Sequence, residues 1–334
     1  MSMKQLRLAS GSGRLTVSCA IAMVAAIPSL QAQPSPAPST NQPVASAAGQ
    51  TLTSRGSILF IGNSFTFAAN SAVHFYRAQT VTDLNGDGVG GVPALFKSFA
   101  NQAGLDYAVS LETVSGKGLD YHMQAKSNVI ARSWDYVVMH GFSTLDAAKP
   151  GDPGVLISSA KQVAELLNSK NPKVDVRLMA TWSRADQTYP ESGHWYGQPI
   201  EAMAKDIRAA YALAAAGTTL IHGVIPVGES WNRAIKSGIA DPNPYDGIAA
   251  GQIDLWSYDR YHASNYGYYL ETLMIFGDVT GLDPRSLGRS ERSAVELGLD
   301  PAKARALQQV AFDELMASKD REPLKEFRPI ALPR

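Results

Sequence analysis

Short β-branched runs alternate with longer amphipathic stretches through most of this chain, and that alternation restricts it to very few folds. Residues 57–61, 107–113, 136–140, 174–180 and 219–225 read as strands bounded by Gly, Pro, Asn or Asp. Residues 94–103, 119–131, 156–169, 199–216, 264–279 and 301–318 read as helices; the fourth has Pro199 at its start and Gly217 at its end, matching the usual asymmetry of helix termini. Strands separated by crossover helices lie parallel, and a parallel sheet needs both faces covered. The expectation is an α/β protein with a central, mostly parallel five-stranded sheet between two helical layers. Its chemistry belongs beyond the carboxyl ends of the strands, near the point where strand order reverses.

What precedes the first strand has a different character. Lys4, Arg7 and Arg14 form a positive start, an apolar run of 13 residues follows from Leu15 to Ile27, and Leu30-Gln31-Ala32 fits small-residue cleavage. This pattern predicts a secretory signal over residues 1–32, cut near Ala32, and a periplasmic or extracellular destination. The run is too short to span a bilayer, and no later segment is long enough. Cleavage would remove three of the 30 basic residues, none of the 30 acidic ones, and Cys19, the only cysteine. Disulfides, thiolate catalysis and cysteine metal sites are thereby excluded from the mature chain. A mildly acidic protein offers no electrostatic case for nucleic acid. Residues 33–56, rich in Pro, Ser, Ala and Gln, read as a flexible linker. A catalytic domain over 57–285 and a C-terminal helical extension over 286–334 complete the expected organisation.

The chemistry-bearing residues fall at both ends of the α/β region. Ser64 stands directly after the first strand in Ile61-Gly62-Asn63-Ser64-Phe65-Thr66, and Asp259-Arg260-Tyr261-His262 lies almost two hundred residues later. A serine hydroxyl is a poor nucleophile until an imidazole takes its proton, and the imidazole needs an acid to fix its tautomer. Alone, Ser64 has a plainer reading as a helix cap and His262 as a packed side chain. Together they supply nucleophile, base and acid, with Asn265, Gly267 and Tyr268 opening a helix just beyond.

On these residues the chain resembles the SGNH (GDSL-like) hydrolase superfamily, in the branch whose first strand ends in Gly-Asn-Ser-Phe. Gly62-Asn63-Ser64 matches the first block and Asp259-x-x-His262 the last. The resemblance implies a flavodoxin-like three-layer α/β/α sandwich and a Ser64–His262–Asp259 triad. It also implies an oxyanion donor at a glycine after the second strand, for which Gly116 is the first choice and Gly118 the fallback. In the third block the family carries Gly-x-Asn-Asp, whose Asn donates to the oxyanion. Here the run is His140-Gly141-Phe142-Ser143-Thr144, without asparagine. Ser143 takes the Asn place, and His140 and Asn63 are further candidates for oxyanion or substrate contact. Loss of one such donor costs about two to three powers of ten in rate. The Gly-x-Ser-x-Gly signature of α/β-hydrolases is absent around Ser64.

Other patterns point elsewhere. Asp83-Leu84-Asn85-Gly86-Asp87-Gly88 matches the first half of a calcium loop through Asp83, Asn85 and Asp87, but Ala94 stands where a bidentate Glu is needed. The alternative is a glycine turn stabilised by side-chain bonds to its own backbone. Ser115-Gly116-Lys117-Gly118 lacks the spacing of a phosphate loop. Trp182, Trp195, Trp231 and Trp256 could present faces to sugar rings or simply pack. Glu191 and His194 could border a cleft, while His74, His122 and His222 have no metal-ligand spacing.

These observations predict a secreted serine esterase acting on small-molecule or carbohydrate esters, with acetyl esters of carbohydrates favoured by the family. No cofactor is required beyond an optional structural calcium. An acyltransferase using the same triad and a non-catalytic carbohydrate-binding protein on the same fold are the alternatives.

Overall fold

The computed structural model describes residues 52–317 and 322–330. The expected signal segment, its cleavage point and the linker up to residue 51 lie outside the described residues. In chain order the elements are β1 (Thr53–Gly62), β2 (Thr82–Asp83), α1 (Gly91–Gln102), β3 (Leu105–Thr113), α2 (Leu119–Ala125), α3 (Ser127–Ile130), β4 (Tyr136–Met139) and α4 (Gly154–Lys170). They continue with β5 (Asp175–Ala180), α5 (Ala185–Thr188), α6 (Glu201–Ala216), β6 (Ile221–Pro226), α7 (Val227–Lys236), α8 (Asn265–Thr280), α9 (Arg292–Glu296) and α10 (Pro301–Met316).

The strands form one six-stranded sheet in the order β2-β3-β1-β4-β5-β6, and every pairing is parallel. The additional strand is β2, two residues that pair with Ser110 and Leu111 at the sheet edge, too short to leave a periodic signal. Side chains alternate between faces, as strand geometry requires. Ile58, Phe60, Val138 and Met179 join a core with α1, α7, α8 and α10, whereas Leu59, Ile61, Val137 and Leu178 join a second core with α2, α4 and α6. The result is the three-layer α/β/α, flavodoxin-like architecture that the resemblance implied.

Three expectations change. β1 begins at Thr53, inside the segment read as linker, because its backbone pairs with Leu105 and Asp106 before a bulge between Ser54 and Ser57. The helix expected over 119–131 breaks at Lys126, whose φ of −125° and ψ of 8° fall outside the helical range and separate α2 from α3. The C-terminal extension is integral, since Leu307, Val310, Ala311 and Leu315 of α10 lie in the first core. Gln102 of α1 also donates to the buried Glu291 carboxylate that caps α9.

Strand order explains where the site must form. β1 lies between β3 and β4, and the chain passes from one side of β1 to the other between them. Gly62 pairs with Thr113, and Ile61 with Met139. The segments following these strands, Asn63–Ser64, Val114–Gly118 and His140–Ser143, therefore emerge side by side at the reversal of strand order.

Candidate active site

The turn after β1 is held by its own side chains. Asn63 Oδ1 accepts from the Phe65 amide at 3.2 Å. Its Nδ2 donates to Lys117 O at 2.9 Å and to Gly141 O at 3.3 Å, tying the segments after β3 and β4 to the nucleophile turn. Both amide hydrogens are thus consumed by backbone, and Asn63 is a clamp, not the substrate contact it was expected to be. Ser64 is 3% exposed, and its amide donates to no acceptor among the described residues.

At the other end of the site, Asp259 Oδ1 accepts the amides of Tyr261 at 3.1 Å and His262 at 3.0 Å, so the carboxylate shapes the tight turn between it and the histidine. Arg260 takes a left-handed φ of 59° there. Asp259 Oδ2 faces His262 Nδ1 at 2.6 Å. Burial pushes the Asp259 carboxyl up, but the imidazole and the two amides outweigh it and hold the group below the usual carboxylate range. An Nδ1–H pointing at the carboxylate leaves the lone pair on Nε2. His262 Nε2 is buried and has no hydrogen-bond partner among the described residues, so no hydrogen bond joins it to Ser64 Oγ.

Several contacts bring the two ends together. The Phe65 ring lies edge-on to His262 with centroids 5.7 Å apart. Tyr268, from the first turns of α8, donates to Ser64 O at 3.4 Å and to Ala69 O at 3.2 Å. Asn70 donates from Nδ2 to Asp259 Oδ2 at 2.7 Å. Phe65 also stacks on Trp182 at 4.0 Å, and Trp182 on Trp231 at 4.7 Å, forming an aromatic column behind the nucleophile.

The expected oxyanion residues separate into two groups. His140 is fully buried; its Nδ1 lies 3.0 Å from Gly141 O and its Nε2 2.8 Å from Thr66 Oγ1. The geometry assigns the proton to Nδ1, with the Thr66 hydroxyl donating to Nε2. Burial holds the imidazole down at about 4, so it is neutral with no donor left for a substrate, contrary to expectation. Gly62 is required beside this pair, since a Cβ there would lie 2.3 Å from Thr66 Oγ1 and 2.4 Å from His140 Nε2. Ser143 is buried and accepts from Arg184 Nη1 at 3.0 Å. Gly116 has a left-handed φ of 66° and lines a cavity of about 320 Å³ together with Gly118 and Phe142. Neither glycine amide has an acceptor among the described residues.

The loop at Asp83–Gly88 satisfies itself. Asp83 Oδ1 accepts from Asn85 N at 3.0 Å and Oδ2 from Val89 N at 3.2 Å, the side-chain turn that was the alternative to calcium. Lys126 donates to Asn85 Oδ1 at 2.8 Å, placing a cation where a metal would need that oxygen. Among the described residues, no group of three His, Cys, Asp or Glu side chains is placed to hold a metal ion.

The four late tryptophans are each at most 2% exposed, which removes them as sugar platforms; their indoles build the core. Glu191 and His194 are exposed, and His194 stacks edge-on against Trp195. His122 is paired with Glu112 in a buried contact, His74 faces Phe67 O, and His222 faces Asp175.

Two residues at the site carry no signal in the sequence. Asn70 is one. Arg184, just beyond β5, is the other: its guanidinium lies 3.5 Å from the centroid of Tyr261, whose ring is 4.0 Å from that of His262. Their motifs span loops from distant parts of the chain, and only tertiary structure brings them in.

No known family's sequence profile matches the chain, and no curated protein matches it. Solved structures are similar. A DUF4886 family protein from Bacteroides uniformis aligns with a TM-score of 0.54 and 17% identity over 80% of this chain and 97% of that one. At that identity the likeness is one of fold. The structure of TesA aligns with a TM-score of 0.43 and 14% identity over 67% of this chain and 98% of that one. The psychrotrophic esterase EstA from Pseudoalteromonas sp. aligns with a TM-score of 0.42 and 11% identity over 67% and 97%.

Proposed function

We propose that this chain is a serine ester hydrolase with Ser64 as nucleophile, His262 as base and Asp259 as the acid that orients it. The observation that carries this reading is the Asp259–His262 pair at 2.6 Å, with an unpartnered Nε2 beside the turn that bears Ser64. Hydrogen bonds between a nucleophile and its base are often long before substrate arrives.

In the proposed reaction, Nε2 takes the Ser64 proton as Oγ attacks the ester carbonyl and the carbonyl electrons move onto oxygen. Amides of Ser64 and Gly116, with Ser143 Oγ, are the donors for that oxyanion. The imidazolium, stabilised by Asp259, gives its proton to the departing alcohol as the C–O bond breaks. Water then attacks the acyl-enzyme, loses its proton to Nε2, and Ser64 regains a proton as the carboxylic acid leaves.

Small acyl esters, including acetyl esters of carbohydrates, are the proposed substrates of an exported enzyme. With the tryptophans buried, aromatic support for a sugar comes from a cavity of about 790 Å³ lined by Phe67, Phe75 and Tyr121, in which Phe75 is 70% exposed. Hydrolysis of p-nitrophenyl acetate and labelling by a fluorophosphonate test the reading. Activity and labelling should both vanish in Ser64→Ala; hydrolysis surviving in that variant sinks the assignment. Release of acetate from acetylated oligosaccharides, measured with and without an acceptor sugar, separates hydrolysis from transfer.

A further inference from the structure

We infer that Arg184 is a positioning residue that turns the Ser143 hydroxyl into an oxyanion donor, replacing the asparagine missing from the third block. This inference rests on the serine-hydrolase reading above. A serine hydroxyl has one proton to give and two lone pairs to offer. A guanidinium has only donors, so the 3.0 Å contact from Arg184 Nη1 fixes Ser143 Oγ as the acceptor and directs the hydroxyl proton elsewhere. Arg184 is the only side-chain partner of Ser143 Oγ among the described residues. Accepting a charge-assisted bond also polarises the O–H and strengthens it as a donor.

The guanidinium is well held for this task. Asp186 takes the other side of its fork, with Nε to Oδ1 at 3.0 Å and Nη2 to Oδ2 at 2.6 Å. That pairing fixes the orientation of the guanidinium, which remains charged for its bond to Ser143 Oγ. Its flat face rests 3.5 Å from the Tyr261 centroid, and Tyr261 lies against His262. The segment is tied to the Asp259–His262 turn twice more, by Asp186 N donating to Arg260 O at 3.2 Å and Trp182 Nε1 to Tyr261 O at 3.2 Å, and Trp256, three residues before that turn, donates from Nε1 to Ser183 O at 2.9 Å. One side chain thus links the segment after β4, which carries Ser143, to the loop carrying the base. Ser143 is four residues beyond Met139, at the place where the family carries its donor.

The test is a double-variant comparison on the purified full chain, read as kcat and KM for p-nitrophenyl acetate and as the rate of phosphonylation of Ser64. Ser143→Ala should lower kcat and the phosphonylation rate by about a hundred-fold or more with KM changed about two-fold or less. Arg184→Met should lower kcat by about ten-fold, and Ser143→Ala/Arg184→Met should be no slower than Ser143→Ala alone. Ser143→Asn, which brings its own N–H, should retain more activity than Ser143→Ala and should lose its dependence on Arg184. Effects that multiply in the double variant, or an Arg184→Met loss undiminished in the Ser143→Asn background, overturn the inference and assign Arg184 to packing of Tyr261. If Arg184→Met fails to fold by circular dichroism, Arg184→Lys takes its place, with the same dependence on Ser143 required. Activity remaining in Ser64→Ala would remove the underlying reading instead, independently of these comparisons.

Discussion

Asn70 Nδ2 and His262 Nδ1 meet on the same oxygen of Asp259, at 2.7 and 2.6 Å. Asn70 also lies 3.4 Å from His262 Nδ1 and holds a left-handed φ of 59°, in which its carbonyl accepts from Ser257 Oγ at 2.9 Å. The turn that bears the nucleophile therefore grips the acid of the proposed triad directly.

Removing that grip should reduce catalysis without removing the acid. Asn70→Ala is expected to lower kcat by about ten-fold, the equivalent of about 1.4 kcal/mol for a hydrogen bond to a charged group. Steady-state kinetics checks this. A kcat equal to that of the unaltered chain would mean that Asp259 is oriented by its own turn alone.

Stability should fall between pH 6.5 and about 4 because of His140. Burial depresses its folded value to about 4, so the folded state resists a proton that the unfolded chain accepts near 6.5. Stability from this group is complete above pH 6.5 and lost as pH falls toward 4, by about 3 kcal/mol in total. Urea unfolding across that range should show the loss, and its size should shrink in His140→Gln.

Glu229 acts in the opposite direction. Burial lifts its carboxyl to about 7 against a partial contact with Arg208 at 3.6 Å, and its Oε2 is buried without a partner among the described residues. A raised carboxyl contributes fully below about 4.5 and destabilises as pH rises through 7. Glu229→Gln should therefore raise stability at pH 8 by about 1–2 kcal/mol after allowance for partial exposure, and change little at pH 4. Thermal melts at the two pH values are sufficient; equal shifts at both would refute the titration argument.

Gly62→Ala should be poorly tolerated, although alanine is ordinarily at ease in a strand end. Its methyl would enter the space between Thr66 and His140, and overpacking of this kind costs about 1–3 kcal/mol. Tm should drop by several degrees. A wild-type melting curve would show that the two side chains can separate at no cost.

The alternation of strands and helices made the sheet, its direction and the positions of Ser64, Asp259 and His262 readable in advance, because period and punctuation are local properties. β2 was not readable, since two residues carry no period, and α7 was hidden because it begins directly at Pro226 with no capping side chain. The site separated along the same line. The Asp-x-x-His turn is local and followed from spacing. Asn63, His140, Asn70 and Arg184 depend on partners 41 to 192 residues away, and no spacing rule reaches that far. The tryptophans took the plainer of their two readings and packed: Trp182, Trp231 and Trp256 lie against one another as a floor beneath the nucleophile turn, and Trp195 joins the second core.

That floor has an optical consequence. Phe65 follows the proposed nucleophile and lies flat on Trp182, which lies flat on Trp231. A displacement of the Ser64 turn alters the surroundings of an indole one ring away. Acylation and deacylation should consequently be visible in native tryptophan emission, giving stopped-flow kinetics on natural, colourless esters without a label.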